Sequence, residues 1–184
     1  MGAMRTLSAT TLFSLLALTA TAMEVGKPSP AFTIKQLSGP PIELSQYKGK
    51  VVAIAFIDTN CPHCQNLTKL LNVISKEYAG KPVQILGCAF NDGSQQALPQ
   101  FIQQFQPNFP VGYCSRDAVL NYLQFPILKP LYVPHMVFLD KRGMVRGDYL
   151  GESEFMTHPD VNVRMELEQL LKGGTTTSAA ARKQ

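Results

Sequence analysis

The sequence predicts an α/β domain built on a mixed sheet with both faces covered, and three observations carry that prediction. Apolar runs of strand length alternate with stretches of helical periodicity between residues 51 and 123, as expected of parallel strands joined by helical crossovers. Two later apolar runs, 136–139 and 144–149, flank the turn Asp140-Lys141-Arg142-Gly143 and predict an antiparallel pair. At the other end, Gly, Pro and alternating apolar residues over 25–44 predict a short β-hairpin turning at Ser38-Gly39-Pro40-Pro41.

The elements follow in order. Gly49 and Lys50 open a strand over 51–57 that is apolar at every position, which suits a strand buried on both faces. Leu67, Leu70, Leu71, Ile74 and Tyr78 recur at helical spacing and predict a helix over 64–78, ended by Gly80 and Pro82. A second buried strand covers 82–90. The cluster Asn91-Asp92-Gly93-Ser94 then turns into a helix carrying Leu98, Phe101, Ile102 and Phe105. A short strand over 110–114, a short helix over 117–123 and an irregular, Pro-rich stretch over 125–134 lead to the late hairpin. The last helix covers 160–172.

A chain of 184 residues that is 45% hydrophobic can bury one core of ordinary size, so a single domain over 23–172 is expected. The formal charge of +4 comes from scattered Lys and Arg with no basic run and no Trp, which argues against a nucleic-acid partner. Residues 1–22 place Arg5 before the run Leu12-Phe13-Ser14-Leu15-Leu16-Ala17-Leu18 and then Ala20-Thr21-Ala22, the order of a secretory signal. A disordered extension is the competing reading. The apolar part is short for a transmembrane span, so any membrane contact is expected only through an uncleaved N-terminal segment. Residues 173–184 are expected to form a disordered tail.

Chemistry concentrates at Cys61-Pro62-His63-Cys64, directly after the first buried strand. Two cysteines separated by two residues at a helix start bring both sulfurs within disulfide reach. The first then lies over unpaired helix N–H groups that favour its thiolate, the attacking species in disulfide exchange. Pro62 in the first helical turn costs no hydrogen bond.

With that motif, the order of elements resembles the thioredoxin superfamily, in particular its TlpA/ResA-like extracytoplasmic branch, over about residues 25–172. The marks are Pro30-x-Phe32, Leu44-x-x-Tyr47-x-Gly49-Lys50-Val51-Val52, the thiol motif, and Val133-Pro134-x-x-Val137-Phe138-Leu139-Asp140-x-x-Gly143. The resemblance implies a thioredoxin-like three-layer α/β/α fold with a mixed central sheet, an N-terminal β-hairpin and a strand–helix insertion before a cis-proline at Pro134. It also implies that Cys61 attacks or is attacked, that Cys64 resolves the mixed disulfide, and that Val133 and Pro62 meet the substrate polypeptide.

Some family positions differ. Ala55 stands where thioredoxins carry an acid, Asn60 replaces the aromatic residue before the first cysteine, and Gln65-Asn66-Leu67-Thr68-Lys69 replaces the branch's Arg-x-Glu-x-Pro. The Pro62-His63 dipeptide and Val133 resemble instead the DsbA type of periplasmic thiol oxidase, which implies that His63 stabilises the Cys61 thiolate and makes the disulfide more oxidising.

The expected activity is therefore thiol–disulfide exchange with protein thiols or disulfides outside the cytoplasm, recharged by a redox partner the sequence does not identify. The Cys61–Cys64 couple is expected to serve without a metal or organic cofactor. Two alternatives are weighed. A Sco-like copper-binding protein would use two cysteines and a later histidine, but with three residues between the cysteines. A peroxiredoxin-like peroxidase would need Thr three residues before its cysteine, where Asp58 stands. His135 is read either as a proton relay or metal ligand beside the thiols, or as a hydrogen-bonded histidine packed on its strand. His158, before Pro159, reads as loop. Cys88 and Cys114 end successive strands and are expected to be buried free thiols, with a second disulfide or relay pair open if those strands are neighbours.

Overall fold

The computed structural model describes residues 23–173, so the expected leader and all of the expected tail except Gly173 lie outside the described residues. The N-terminal hairpin pairs β1 (Thr33–Ile34) with β2 (Ile42–Glu43), and a 3-10 turn at Leu44–Tyr47 follows. Then come β3 (Val51–Ile57), α1 (Pro62–Glu77), β4 (Val83–Ala89), α2 (Ser94–Phe105), β5 (Val111–Tyr113) and α3 (Arg116–Leu123). The described residues end with β6 (His135–Leu139), β7 (Val145–Tyr149), a 3-10 turn at Glu154–Thr157 and α4 (Pro159–Leu171).

The main sheet has the order β5-β4-β3-β6-β7, with β3, β4 and β5 parallel and β6 antiparallel to both β3 and β7. All seven residues of β3 are buried because β4 and β6 flank it in the sheet, while helices cover one face and the N-terminal hairpin with α3 covers the other. Alternation along β3 sorts the core into two clusters. Val51, Ala53, Ala55 and Ile57 join Leu67, Leu71 and Ile74 of α1, Leu98 and Phe101 of α2, and Val163, Leu167 and Leu170 of α4. Val52, Ile54 and Phe56 face the hairpin residues Phe32, Ile34 and Ile42, and Val119, Leu120 and Leu123 of α3. Each buried Leu, Ile or Phe contributes about 1.5–3 kcal/mol relative to exposure. The three layers follow from this division.

Two contacts fix how the hairpins attach. Lys35 and Tyr113 exchange backbone hydrogen bonds of 3.0 and 2.8 Å, joining β1 to the β5 edge. A Cβ at Gly112 would lie 2.2 Å from the Lys35 carbonyl oxygen, so only glycine allows this approach. In the late hairpin the Asp140 carboxylate accepts from the N–H groups of Arg142 and Met144 and from Arg146 Nε at 2.8 Å. Partial burial pushes that carboxyl up, but these donors outweigh it and hold it below its ordinary range.

Candidate active site

Cys61 is the N-cap of α1, with extended backbone (φ −77°, ψ 120°), and Pro62 and His63 begin the helix. The helix therefore starts two residues before the predicted 64, because Pro62 already has the φ a first turn needs. The Cys61 carbonyl accepts the first helical bond from Gln65 N–H at 3.0 Å, and its own N–H donates to the Asp58 carbonyl at 3.2 Å. No side chain caps the N-terminus, so the first N–H groups of the helix, beside Cys61, have no side-chain acceptor.

The two thiols differ sharply in environment. Cys61 is partly exposed, whereas Cys64, one turn inward, is fully buried against Leu67 and the β3 residues. Burial pushes the Cys64 thiol well above its ordinary value. The Asp58 N–H, donating to its sulfur at 3.4 Å, opposes the rise, while the adjacent Cys61 thiol and the Asp58 carboxylate add to it. An accessible sulfur thus sits beside one that holds its proton.

The Val133–Pro134 bond is cis, as the motif implied. The Cys61 thiol points at the Val133 carbonyl oxygen, 4.0 Å away. Gly151, just past β7, donates its N–H to the Tyr132 carbonyl at 3.3 Å, and a Cβ there would lie 2.9 Å from the Val133 carbonyl carbon. Glycine at 151 is what lets this loop lie against the segment that faces the thiol. His63 is exposed and lines a recess of about 410 Å³ beside Val133 and Pro134.

His135 is placed differently. Paired with Phe56 in the β3–β6 register, it is 1% exposed and meets the Phe56 ring edge-on at 6.1 Å between centroids. Phe56 belongs to the core face opposite Cys64. There the His135 Nε2–H donates to Asp148 Oδ1 of β7 at 2.5 Å. It is thus a hydrogen-bonded strand histidine, and the arrangement in which it would join Cys61 and Cys64 around a metal is not assembled. Among the described residues no three His, Cys, Asp or Glu side chains are gathered as a metal set. His158 caps the start of α4, where loop was predicted.

Cys88 lies on β4 opposite Gly112 of the neighbouring β5, Cys114 directly follows β5, and both are buried free thiols. Burial first, then the adjacent Cys114 thiol, pushes Cys88 far up. They pack on the core face away from Cys64 and Cys61. The parts of the site that sequence reasoning missed are Asp58 as a neighbour of Cys64, Asp148 as the partner of His135, and the loop of Gly151, Met156 and Pro159. None carries a motif of its own: Asp58 lies only six residues before Cys64 but meets it across the β3–α1 turn, and Asp148 and the Gly151 loop act through residues on other elements.

Comparison with known proteins agrees with this geometry. Residues 25–147 match the model of the AhpC/TSA family. The chain is 31% identical over 147 residues to the thiol-disulfide oxidoreductase ResA of Geobacillus kaustophilus, covering 79% of each chain. It is 29% identical over 151 residues to ResA of Bacillus thuringiensis subsp. konkukian, covering 82% of this chain and 78% of the relative. Two solved structures share the fold. A thiol:disulfide interchange protein from a Bacteroides species superposes with TM-score 0.66 at 20% identity, covering 86% of this chain and 97% of that one. A thiol:disulfide interchange protein of the thioredoxin family from Chlorobium tepidum does so with TM-score 0.63 at 21% identity, covering 77% and 96%. With a Cys-x-x-Cys pair at the head of α1 facing a cis-proline on this sheet, the chain belongs to the AhpC/TSA family, as a thioredoxin-like, ResA-like thiol–disulfide oxidoreductase.

Proposed function

We propose that the protein exchanges disulfides with polypeptide substrates outside the cytoplasm, working as a comparatively oxidising member of its group through the Cys61–Cys64 couple without a further cofactor. The observation that carries this is the unequal exposure of two adjacent sulfurs, Cys61 open at a helix start and Cys64 closed behind it.

In the oxidising direction a substrate thiolate attacks Sγ of Cys61 in the Cys61–Cys64 disulfide. The sulfur–sulfur bond breaks, Cys64 leaves as thiolate and takes up a proton, and a substrate–Cys61 mixed disulfide forms. Attack by the second substrate thiolate then releases Cys61. Two electrons have passed from the substrate dithiol to the protein. A buried Cys64 that favours its protonated form is neutral once it has left, which leaves the exposed Cys61 as the sulfur that meets the substrate. The Pro62-His63 dipeptide at the head of α1, which resembles that of the DsbA type, supports the oxidising direction. Val133 offers backbone to an extended substrate chain, and Pro62, Pro134 and His63 surround the meeting point of the sulfurs. The order of residues 1–22, which reads as a secretory signal, supports the location.

Equilibration of the purified protein with glutathione buffers of graded ratio, read by the fraction of Cys61 and Cys64 open to alkylation, tests the proposal. A potential well above that of thioredoxin, about −270 mV, is expected; a value at or below it overturns the oxidising reading.

A further inference from the structure

We propose that the site reads the residues flanking the substrate cysteine, taking an apolar side chain on one side and a polar one on the other, and so sets the direction in which the substrate chain lies. The inference rests on the reading that Cys61 exchanges with a polypeptide.

Two recesses meet at Val133, whose carbonyl faces the Cys61 sulfur at 4.0 Å, and they differ in that only the second is lined by Asp and Arg side chains. The larger, about 410 Å³, has Leu67 and Leu70 of α1 on one wall and Met156 and Pro159 on the other; His63 and Asn66 are its polar lining, and no Asp, Glu, Lys or Arg lines it. Gly151 holds the second wall against the backbone of Tyr132 and Val133. The smaller, about 250 Å³, is lined by Asp58, Asn91, Asp92 and Arg116 together with Phe90 and Leu131.

The recesses lie to opposite sides of the reacting sulfur. The first is walled by the loop after β7 and the start of α4, the second by the rim after β3 and β4 and the start of α3. In the sheet order β5-β4-β3-β6-β7 these are opposite directions from β3. A substrate strand advances about 3.3 Å per residue, so residues one or two positions from its cysteine reach both recesses. An apolar side chain entering the first leaves water without stranding a charge. The same side chain at the second would cover two carboxylates and a guanidinium, which desolvation penalises. Reversing the chain exchanges a favourable placement for an unfavourable one.

The test uses peptides with one cysteine activated as a mixed disulfide with thionitrobenzoate. One carries Leu residues on the N-terminal side of the cysteine and Ser on the C-terminal side, one has the reverse order, and a matched pair carries Asp in place of Leu. The same activated disulfide on cysteamine has no flanking residues. Release of thionitrobenzoate by the reduced full-length protein gives the rates. One Leu/Ser order is expected to react about tenfold faster than its reverse, the range a single apolar subsite supplies, with its Asp counterpart slower still. In Met156→Lys the order preference falls toward unity and the Asp counterpart gains; Met156→Ala reduces the preference several-fold. Equal rates for all peptides, with cysteamine reacting, overturn the flanking-residue proposal and leave disulfide exchange standing. A preference unchanged in both Met156 variants overturns the assignment to this recess. Failure of every substrate, cysteamine included, overturns the exchange reading itself.

Discussion

Nε2 of His135 lies 2.5 Å from Oδ1 of Asp148, across the β6–β7 pair and on the sheet face away from the thiols. A carboxylate only accepts, so this ring nitrogen carries the proton. The bond ties the first residue of β6, next to Pro134, to the neighbouring strand. Nδ1 has no hydrogen-bond partner among the described residues, so the ring's attachment rests on Asp148. Replacing Asp148 by Ala strands a buried donor and is expected to cost about 1–3 kcal/mol, read from the urea midpoint at constant slope. An unchanged midpoint would show that the pair contributes nothing to stability.

The unequal thiols predict unequal variants. Reduced Cys64→Ser is expected to accumulate a mixed disulfide when Cys61 attacks a substrate polypeptide's disulfide and releases its other sulfur as thiol, because no resolving sulfur remains. Cys61→Ser is expected to form none under the same conditions, since Cys64 is buried and holds its proton. Intact-mass measurement after a short incubation distinguishes the two, and an adduct on Cys64 would reverse the assignment.

Burial raises the thiols of Cys64 and Cys88 above the ordinary value of 9.0, which makes the reduced protein sensitive to alkali. Below that value both the folded and unfolded chains keep these protons, and stability does not depend on them. Above it the unfolded chain releases protons that the fold retains, so stability falls as pH rises, by up to about 1.4 kcal/mol per pH unit for each thiol. Cys88→Ala removes one share of that slope even though the cavity lowers stability overall. Denaturant midpoints between pH 8 and pH 10 for the two proteins check it; parallel curves would contradict it.

His63 is the second residue of α1, two positions after Cys61 at its N-cap. His63→Pro is expected to lower the potential of the couple by tens of millivolts, given that about 30 mV corresponds to about 1.4 kcal/mol for two electrons. The glutathione equilibrium gives the number. An unchanged potential would remove His63 from the account.

Membership of the AhpC/TSA family makes hydrogen peroxide a necessary control. Asp58 occupies the position three before Cys61, where a peroxidatic site is expected to carry Thr, and its carboxylate repels a thiolate. Peroxide consumption with a dithiol donor is expected to stay near the uncatalysed rate. Fast turnover would replace the exchange reading.

Local pattern carried most of the architecture. The seven apolar positions of β3 and the Leu67, Leu71 and Ile74 stripe of α1 read directly as a buried strand and a core-facing helix, because burial on one or both faces leaves a short-range period. The 3-10 turns at Leu44–Tyr47 and Glu154–Thr157 left no such period. The Cys61/Cys64 pair was legible because its geometry is set within a single helical turn, and Val133–Pro134 through its motif.

What the sequence determined by itself is the set of elements and the thiol pair at the head of α1, since hydrogen bonds and burial within a few residues decide both. Only the tertiary structure decided which face of the sheet His135 takes and that Asp148 is its partner. It also decided that the Cys88 and Cys114 thiols are neighbours, and that Leu67 and Leu70 share a recess with Met156 and Pro159. Those relationships depend on strand order and register, where one step moves a side chain to the opposite face, and no local period records them.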